Sequence, residues 1–158
     1  MTIHLLVVGR VKNDALHEAC TDYEKRIRNY TPLEVREVKD AGRTDRVADY
    51  ARRKEGEALA KALPRGAHMV ALTRTGRSIA SSDLAERLQT WRDGNRDVAF
   101  VIGGAHGLDP VLVEAAQETL SLSGMTFPHE LARLVLLEQL YRACTILRGE
   151  PYHKGGDR

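Results

Sequence analysis

The sequence has little of several features that would mark a special class of protein. Its 158 residues include two cysteines, Cys20 and Cys144, which lie far apart without metal-ligand spacing, so reduced core thiols are expected rather than a disulfide. No apolar run approaches the roughly 18 residues of a membrane span. The N-terminal MTIHLLVVGR lacks the basic region and cleavage site of a signal peptide. A cytoplasmic protein without a membrane segment is therefore expected.

An excess of charge is also lacking. The formal net charge is +2 at pH 7, which alone decides little about nucleic-acid binding. Basic residues do cluster from Arg43 to Lys54, at Arg74 and Arg77, and in the C-terminal tail. A solvated helical face is the commoner explanation of such clusters, and an RNA-binding surface is the other. A dimer would double whatever basic surface exists.

Composition and hydrophobic pattern indicate the fold class. Hydrophobic residues make up 42% and charged residues 29% of the chain, as in a soluble globular domain. Apolar runs and helical patterns alternate, and they predict strands at 3–8, 33–38, 68–72, 98–102 and 119–123 and helices near 14–29, 46–62, 83–92 and 110–117. This alternation predicts an α/β fold in which residues 1–158 form a single domain, with a mostly parallel sheet and helices on both faces.

The last third of the sequence predicts a long helix whose start and stop signals agree. Thr126 suits the N-cap and Pro128 the first turn, while Arg148 precedes a terminating Gly149. Apolar residues occupy nearly every direction of this helix, which indicates burial on most sides. A chain of this length rarely hides such a helix completely, so we expect a homodimer in which the helix from Pro128 to Arg148 lies in the two-fold interface.

Three predicted strands end in segments typical of ligand sites. Ligands bind outside the carboxyl ends of parallel strands, and here Leu72 precedes TRTGRS, Ile102 precedes GGAHGLDP, and residues 121–123 precede GMTFPH. The glycines of GGAHG let a ligand approach the backbone closely, although a tight turn also explains them. The segment lacks the Lys-Ser/Thr of a P-loop and the spacing of G-x-G-x-x-G, so a nucleotide triphosphate or dinucleotide site has poor support.

Four segments taken in order, VIGGAHGL, SLSGMTFPH, LLEQLYRA and GEPYHK, carry a specific resemblance. The chain resembles the ribosomal RNA large-subunit methyltransferase H family of the SPOUT superfamily over its whole length, most closely from Val98 to His153. The resemblance implies a deep trefoil knot at about 98–153 with a tail at 154–158, S-adenosylmethionine as cofactor, and a homodimer. It also implies the reaction, which is methylation of N3 of a pseudouridine in a stem-loop of 23S ribosomal RNA within the assembled ribosome.

The resemblance assigns the cofactor site to two isolated residues and one continuous run. These residues are Leu72, Gly103, Leu122, Ser123, Gly124, Met125, Thr126 and Phe127. The chain departs from the family at Gly124, where relatives often have a larger residue, and at 155–158, which extend beyond the usual end.

The implied reaction also suggests catalytic residues. A sulfonium methyl donor is already activated, so the enzyme must align the reactants and handle the N3 proton, and it needs no metal. The candidate proton acceptors are His129 and His153, while Tyr152 would stack on or orient the base. Arg142 would hold a phosphate or the imide oxygen. The six histidines include no close ligand pair such as H-E-x-x-H, so no metal site is expected.

The residue types alone leave other interpretations open. Arg142 stands four residues after Glu138, the spacing of a simple helical ion pair. His129 lies where it could serve only to bond the start of the helix, and Arg133 stays undecided between function and packing.

Two other functions fit parts of the sequence. A noncatalytic RNA-binding dimer explains the basic clusters but not the GG and SLSGMTFPH segments together. A doubly wound phosphate-binding enzyme would use GGAHG as an anion loop, and it predicts affinity for nucleotide phosphates rather than for a sulfonium cofactor.

Overall fold

The structure is a computed structural model that describes residues 1–42 and 48–152, and in them strands and helices alternate strictly. The elements are β1 (Ile3–Val8), α1 (Asp14–Arg28), β2 (Leu33–Val38), α2 (Ala48–Ala62), β3 (His68–Ser78), α3 (Ser81–Asp93), β4 (Val98–Ile102), α4 (Pro110–Ala115), β5 (Glu118–Ser121) and α5 (His129–Leu147). This order confirms the predicted α/β fold. The predicted helical residues 46–47, the basic residue Arg43 and the tail from His153 lie outside the described residues.

The five strands form one sheet in the order β2-β1-β4-β3-β5, and every strand pair is parallel. The register places Ile3 beside both Leu33 and Val98, and Val70 beside Phe100. Parallel neighbours need a crossover connection, and each connection here contains one helix. All carboxyl ends of the strands therefore lie at one edge of the sheet.

Helices cover both faces of the sheet, as the sequence predicts. Alternate residues of a strand point to opposite faces, so Leu5 and Leu6 of β1 enter different hydrophobic clusters. The larger cluster is closed by α1, α3 and α5, and the smaller by α2 and α4. Cys20 and Cys144 are buried and unbonded, which confirms the expectation of core thiols.

Strand β3 is longer than predicted. It continues from Leu72 through Ser78, with a register irregularity after which Arg77 pairs with Leu120 of β5. Gly76 makes this possible, because a Cβ there would lie only 2.6 Å from the backbone carbon of Leu120. The segment predicted to leave the sheet after Leu72 therefore stays beside β5.

Helix α5 starts later than predicted. Its cap is Pro128, with ψ at 144°, and its first residue is His129, so the expectation of a Thr126 cap is wrong. A proline holds the preceding residue out of the helical region, which keeps Phe127 and the residues before it in the loop. Strand β5 ends at Ser121 rather than at residue 123, because the side chain of Ser121 donates to the carbonyl of Ser123 and turns the chain.

The end of α5 agrees with the predicted stop. Gly149 has a φ of +67°, and its N–H donates to the carbonyl of Ile146 while the N–H of Glu150 donates to the carbonyl of Thr145. These two bonds form a Schellman motif, which satisfies carbonyls that the helix leaves free. No helix in the described ranges is long and apolar enough to cross a membrane.

The apolar face of α5 is covered largely within the chain. Leu136, Leu137 and Leu140 are at most 1% exposed, because the helix packs between α1 and α3 and on the sheet. Leu140 itself is therefore inaccessible to another chain, while other apolar residues of the helix are only partly buried, so the two-fold interface of this helix stays a prediction.

Candidate active site

A cavity of about 820 Å³ lies at the carboxyl ends of β4 and β5 and beside the irregular part of β3 that follows Leu72. Its walls come mainly from residues 72–74, 102–108 and 121–130, with Leu16 of α1 on one side. These segments follow neighbouring strands, so the parallel sheet alone brings them together. The volume falls within the range of sites for small molecules and cofactors.

The structure brings most of the predicted cofactor residues to this cavity. Seven of the eight line it, namely Leu72, Gly103, Leu122, Ser123, Met125, Thr126 and Phe127. Gly124 is exposed and does not line it. Ser121 and Ser123 shape the loop after β5, since Ser121 Oγ donates to the Ser123 carbonyl at 2.9 Å and Ser123 Oγ accepts from the Met125 N–H at 2.9 Å.

The loop after β4 folds tightly on itself. Gly104 and Gly107 form an isolated bridge, and the Gly107 N–H donates to the Gly104 carbonyl at 3.1 Å. A Cβ at Gly103 would lie 2.5 Å from the carbonyl carbon of Gly107, so the loop leaves no room for a side chain. Glycine is needed at 103 because of this contact within the loop. From the sequence, glycine was expected in this loop for a different reason, because it lets a ligand approach the backbone closely.

His129 is the only predicted catalytic residue that lines the cavity among the described residues. As the first residue of α5, it directly follows the loop after β5 and lines the cavity beside the ends of neighbouring strands. Arg10 follows β1 and lines a small neighbouring pocket together with His129. One histidine thus lines the cavity.

Arg142 and Tyr152 form a second cluster, away from the cavity. Glu138 Oε1 accepts two hydrogen bonds from Arg142, at 2.7 and 3.1 Å, and one from the hydroxyl of Tyr152 at 3.1 Å. The guanidinium carbon of Arg142 lies 5.0 Å from the centroid of the Tyr152 ring, and the rings of Tyr141 and Tyr152 are 4.7 Å apart. The expected Glu138–Arg142 ion pair is confirmed, and Tyr152 shares it.

The environment of Tyr152 fixes its protonation state. Burial, a hydrogen bond with Tyr23 at 3.3 Å and the charge of Glu138 raise the pKa of Tyr152 above its usual range. Its hydroxyl therefore stays protonated at neutral pH, and Tyr152 can donate a hydrogen bond or stack but cannot act as a base.

Arg133 is held by two carboxylates. Its guanidinium donates to Glu37 at 2.6 Å and to Glu24 at 3.2 Å, and the residue is 7% exposed. These partners join α5 to α1 and β2 in a buried ion network. These contacts favour a packing role for Arg133, which the sequence alone left undecided between function and packing.

The two clusters of candidate residues cannot meet within one chain. Arg142 follows His129 by 13 positions on the same straight helix, which corresponds to about 20 Å along its axis. Tyr152 sits beside Arg142. The cavity with His129 and the cluster with Arg142 are therefore at opposite ends of α5.

Glu55 is a residue at the site that sequence reasoning missed. It lies on α2, is 3% exposed, and its Oε1 accepts a hydrogen bond from the N–H of Ala41 at 3.0 Å. A signal was present in the sequence, because Glu55 lies four residues after Ala51 and four residues before Leu59. It therefore shares one helical face with two apolar residues. That spacing predicts a buried carboxyl group.

Known proteins resemble this chain over nearly its full length. Residues 1–153 match the family described as "Predicted SPOUT methyltransferase". A protein of Gemmatimonas aurantiaca named "Ribosomal RNA large subunit methyltransferase H" is 49% identical over 154 residues, covering 98% of this chain and 100% of that relative. A protein of Anaeromyxobacter sp. with the same name is 46% identical, with the same coverage of both chains.

A solved structure supports the fold. A probable methyltransferase from Bordetella pertussis Tohama I has a TM-score of 0.57 to this chain, covering 90% of this chain and 95% of that one. The two are 14% identical, so the likeness concerns the fold alone.

Proposed function

Because the chain belongs to the SPOUT methyltransferase family, we propose that it methylates N3 of a pseudouridine in a stem-loop of 23S ribosomal RNA, with S-adenosylmethionine as methyl donor and the assembled ribosome as substrate. Full-length relatives named as large-subunit ribosomal RNA methyltransferases support the class of substrate. The observation that carries the proposal is the cavity at the strand ends, which gathers seven of the eight residues assigned to the cofactor.

The cavity suits the proposed cofactor. Leu72, Ile102 and Leu122 offer apolar surface to an adenine ring, and the tight loop after β4 exposes main-chain groups to it. Such a mixture of apolar walls and a few polar groups is typical of cofactor sites. The bound cofactor would supply a methyl group on a positively charged sulfur, which needs no further activation.

The side chains of the protein would then handle the base. His129 stands at the cavity, where its imidazole can accept the N3 proton as the new N–C bond forms. Arg142 would hold a phosphate or the imide oxygen, and its fork of N–H donors suits either group. Tyr152, which stays protonated, would stack on the base or donate to it. His153 is proposed as a second proton acceptor.

A homodimer would complete the site. Since His129 and Arg142 lie at opposite ends of α5 in one chain, we propose that Arg142, Tyr152 and His153 of one copy reach the cavity of the other. We also propose that residues 1–158 form one domain, that about 98–153 form a deep trefoil knot, and that the protein works in the cytoplasm without a metal.

Labelled methyl transfer tests this proposal. The purified protein would be incubated with radiolabelled S-adenosylmethionine and, in parallel, assembled ribosomes, separated subunits and naked ribosomal RNA. We expect label in the 23S RNA of assembled ribosomes, and mapping of the modified nucleotide should identify an N3-methylated pseudouridine. Label on another atom or base would contradict the proposed specificity, and cofactor binding without any transfer would favour the noncatalytic RNA-binding dimer.

A further inference from the structure

The carboxyl group of Glu55 lies directly behind the loop that lines the cavity. A Cβ built on Gly104 would lie 2.9 Å from Glu55 Oε2 and 3.2 Å from Oε1, and Gly104 is itself a lining residue. Glu55 is not a lining residue. The main chain of Gly104 is therefore what separates this carboxyl group from a molecule in the cavity.

This carboxyl group is poorly compensated within the described residues. Only Oε1 has a hydrogen-bond partner there, the N–H of Ala41, and Oε2 is buried without one. A buried carboxylate in this state is costly, and a neutral amide could accept the same bond from Ala41 with less desolvation. The hydrogen bond to Ala41 alone therefore gives no reason for a charged group.

The groups facing Glu55 connect it to the cavity. Burial raises the pKa of Glu55, the Ala41 N–H lowers it, the charge of Asp40 raises it, and the imidazoles of His106 and His129 lower it. His129 lines the cavity, and His106 belongs to the loop after β4. Positive charge near the cavity thus favours the ionised form of Glu55, and ionised Glu55 favours positive charge in the cavity.

We propose that Glu55 is a specificity-determining residue that makes this cavity prefer a positively charged ligand over its neutral counterpart. The inference rests on the proposed cofactor, whose sulfur carries a positive charge that is lost with the methyl group. When the methyl group passes to N3 and the N3 proton passes to a base of the protein, the sulfonium becomes a neutral thioether. The attraction to Glu55 then disappears, so the spent cofactor is bound less tightly than the fresh one and leaves more readily.

The expected size of the effect follows from Coulomb's law. Two unit charges on the order of 10 Å apart, at the effective dielectric constant usual for proteins, change an affinity by about tenfold. Glu55 therefore acts through the field across one layer of backbone, without touching the ligand.

The test compares two ligands in three proteins. Calorimetry would give the dissociation constants of S-adenosylmethionine and S-adenosylhomocysteine for the wild type, for Glu55→Gln, and for the matched control Glu57→Gln. Gln keeps the acceptor for Ala41 and removes only the charge, while Glu57 is an exposed residue of the same helix, paired with Lys54. We expect Glu55→Gln to weaken S-adenosylmethionine binding about tenfold and to change S-adenosylhomocysteine binding by less than about twofold. Glu57→Gln should change neither.

The outcomes separate the inference from the proposed function. Equal losses for both ligands, or an unchanged ratio of affinities in folded Glu55→Gln, would overturn the role of Glu55 as a charge. Failure of the wild type to bind either ligand would instead count against the proposed cofactor.

A second measurement does not need the variant to fold. Because a bound cation lowers the pKa of Glu55 from its raised value, wild-type protein should release protons on binding S-adenosylmethionine and fewer on binding S-adenosylhomocysteine. Calorimetry in buffers of different ionisation enthalpy measures this release over a series of pH values, and equal release for both ligands at every pH, including those where Glu55 is partly protonated, would overturn the inference. Where Glu55→Gln folds, its smaller difference in release isolates the share of Glu55.

Discussion

At the scale of single residues, the same residue type on one helix serves two purposes, and its partners decide which. Arg133 is enclosed by Glu24 and Glu37 and can offer nothing to a ligand without breaking a buried network. Arg142 is paired with one carboxylate among the described residues, that of Glu138, and its guanidinium lies over the ring of Tyr152. The side chain of Arg142 is 23% exposed and that of Arg133 only 8%, so Arg142 is the one of the two that an anion from outside the chain can reach.

Two glycines of the predicted cofactor site differ sharply in the room around them. Gly103→Ala should weaken S-adenosylmethionine binding at least about tenfold and lower the melting temperature, because its Cβ would meet the Gly107 backbone at 2.5 Å and displace the loop. Gly124→Ala is the matched control, since nothing lies within 4 Å of its Cβ. Calorimetric titration and thermal unfolding of both variants check this. Wild-type affinity in Gly103→Ala would show that the loop does not hold the cofactor.

Kinetic measurements can distinguish a catalytic role of His129 from a role in binding the cofactor. His129→Asn should lower the rate of methyl transfer by about 10²–10⁴-fold while leaving the dissociation constant of S-adenosylmethionine nearly unchanged, because the imidazole is proposed to move a proton rather than bind the cofactor. His17→Asn, at an exposed position on α1, is the control. Single-turnover rates and calorimetry distinguish the two effects. A variant that transfers methyl groups at the wild-type rate would leave His153 as the sole candidate base.

At the scale of secondary-structure elements, the sequence predicts the strands and helices well and their junctions poorly. Alternating apolar runs and helix caps depend on neighbouring residues only, as at Asp109, whose side chain accepts from the Val111 N–H at 3.1 Å at the start of α4. The continuation of β3 to Ser78 depends instead on Gly76 meeting Leu120, which is a contact between distant segments. No local pattern could have shown it.

The candidate site could be predicted only in part, for the same reason. The cavity residues follow the ends of strands, so a parallel sheet places them together once the resemblance has named them. The environment of Glu55 requires knowing that α2 lies behind the loop after β4, where a Cβ on Gly56 would meet Asp109 at 2.6 Å. Glu55 was therefore missed, although its spacing from Ala51 and Leu59 indicated burial.

Helix α5 should behave as part of the core of one chain. Leu140→Ala should reduce the free energy of unfolding by about 2–5 kcal/mol, since the side chain is completely buried among α1, α3 and the sheet. Val111→Ala, at a site that is 70% exposed, should cost less than about 0.5 kcal/mol. Chemical denaturation at several protein concentrations measures both. A loss for Leu140→Ala that grows on dilution would place this residue in an interface after all.

At the scale of the whole molecule, the separation of the two clusters makes cooperation between copies testable. One protein would carry Gly103→Val, which disables its cavity, and the other would lack residues 151–158, which removes Tyr152 and His153. Each alone should be inactive. In a mixed dimer, one site would combine an intact cavity with an intact tail from the other chain, so methyl transfer should return.

The mixed-dimer experiment needs its own controls. Differently tagged chains and tandem purification establish that heterodimers form, and calorimetry should show that the shortened protein still binds S-adenosylmethionine. Tyr152 also packs against Tyr23 and Tyr141, so the melting temperature of the shortened protein must be compared with that of the wild type. Verified heterodimers without activity would mean that the tail serves its own chain, or that both sites must be intact at once.

The strand order carries a consequence for how the protein is made. Strand β4 lies between β1 and β3, yet it is synthesised after both. Until residues 98–102 have been synthesised, the edges of β1 and β3 that pair with β4 in the finished sheet stay unpaired. Unpaired strand edges promote aggregation. The sheet of the nascent chain therefore cannot be completed until the central strand, β4, has been synthesised. The cavity cannot form before β5 and α5 follow. An enzyme proposed to modify finished ribosomes is thus itself without a site until α5 has been synthesised.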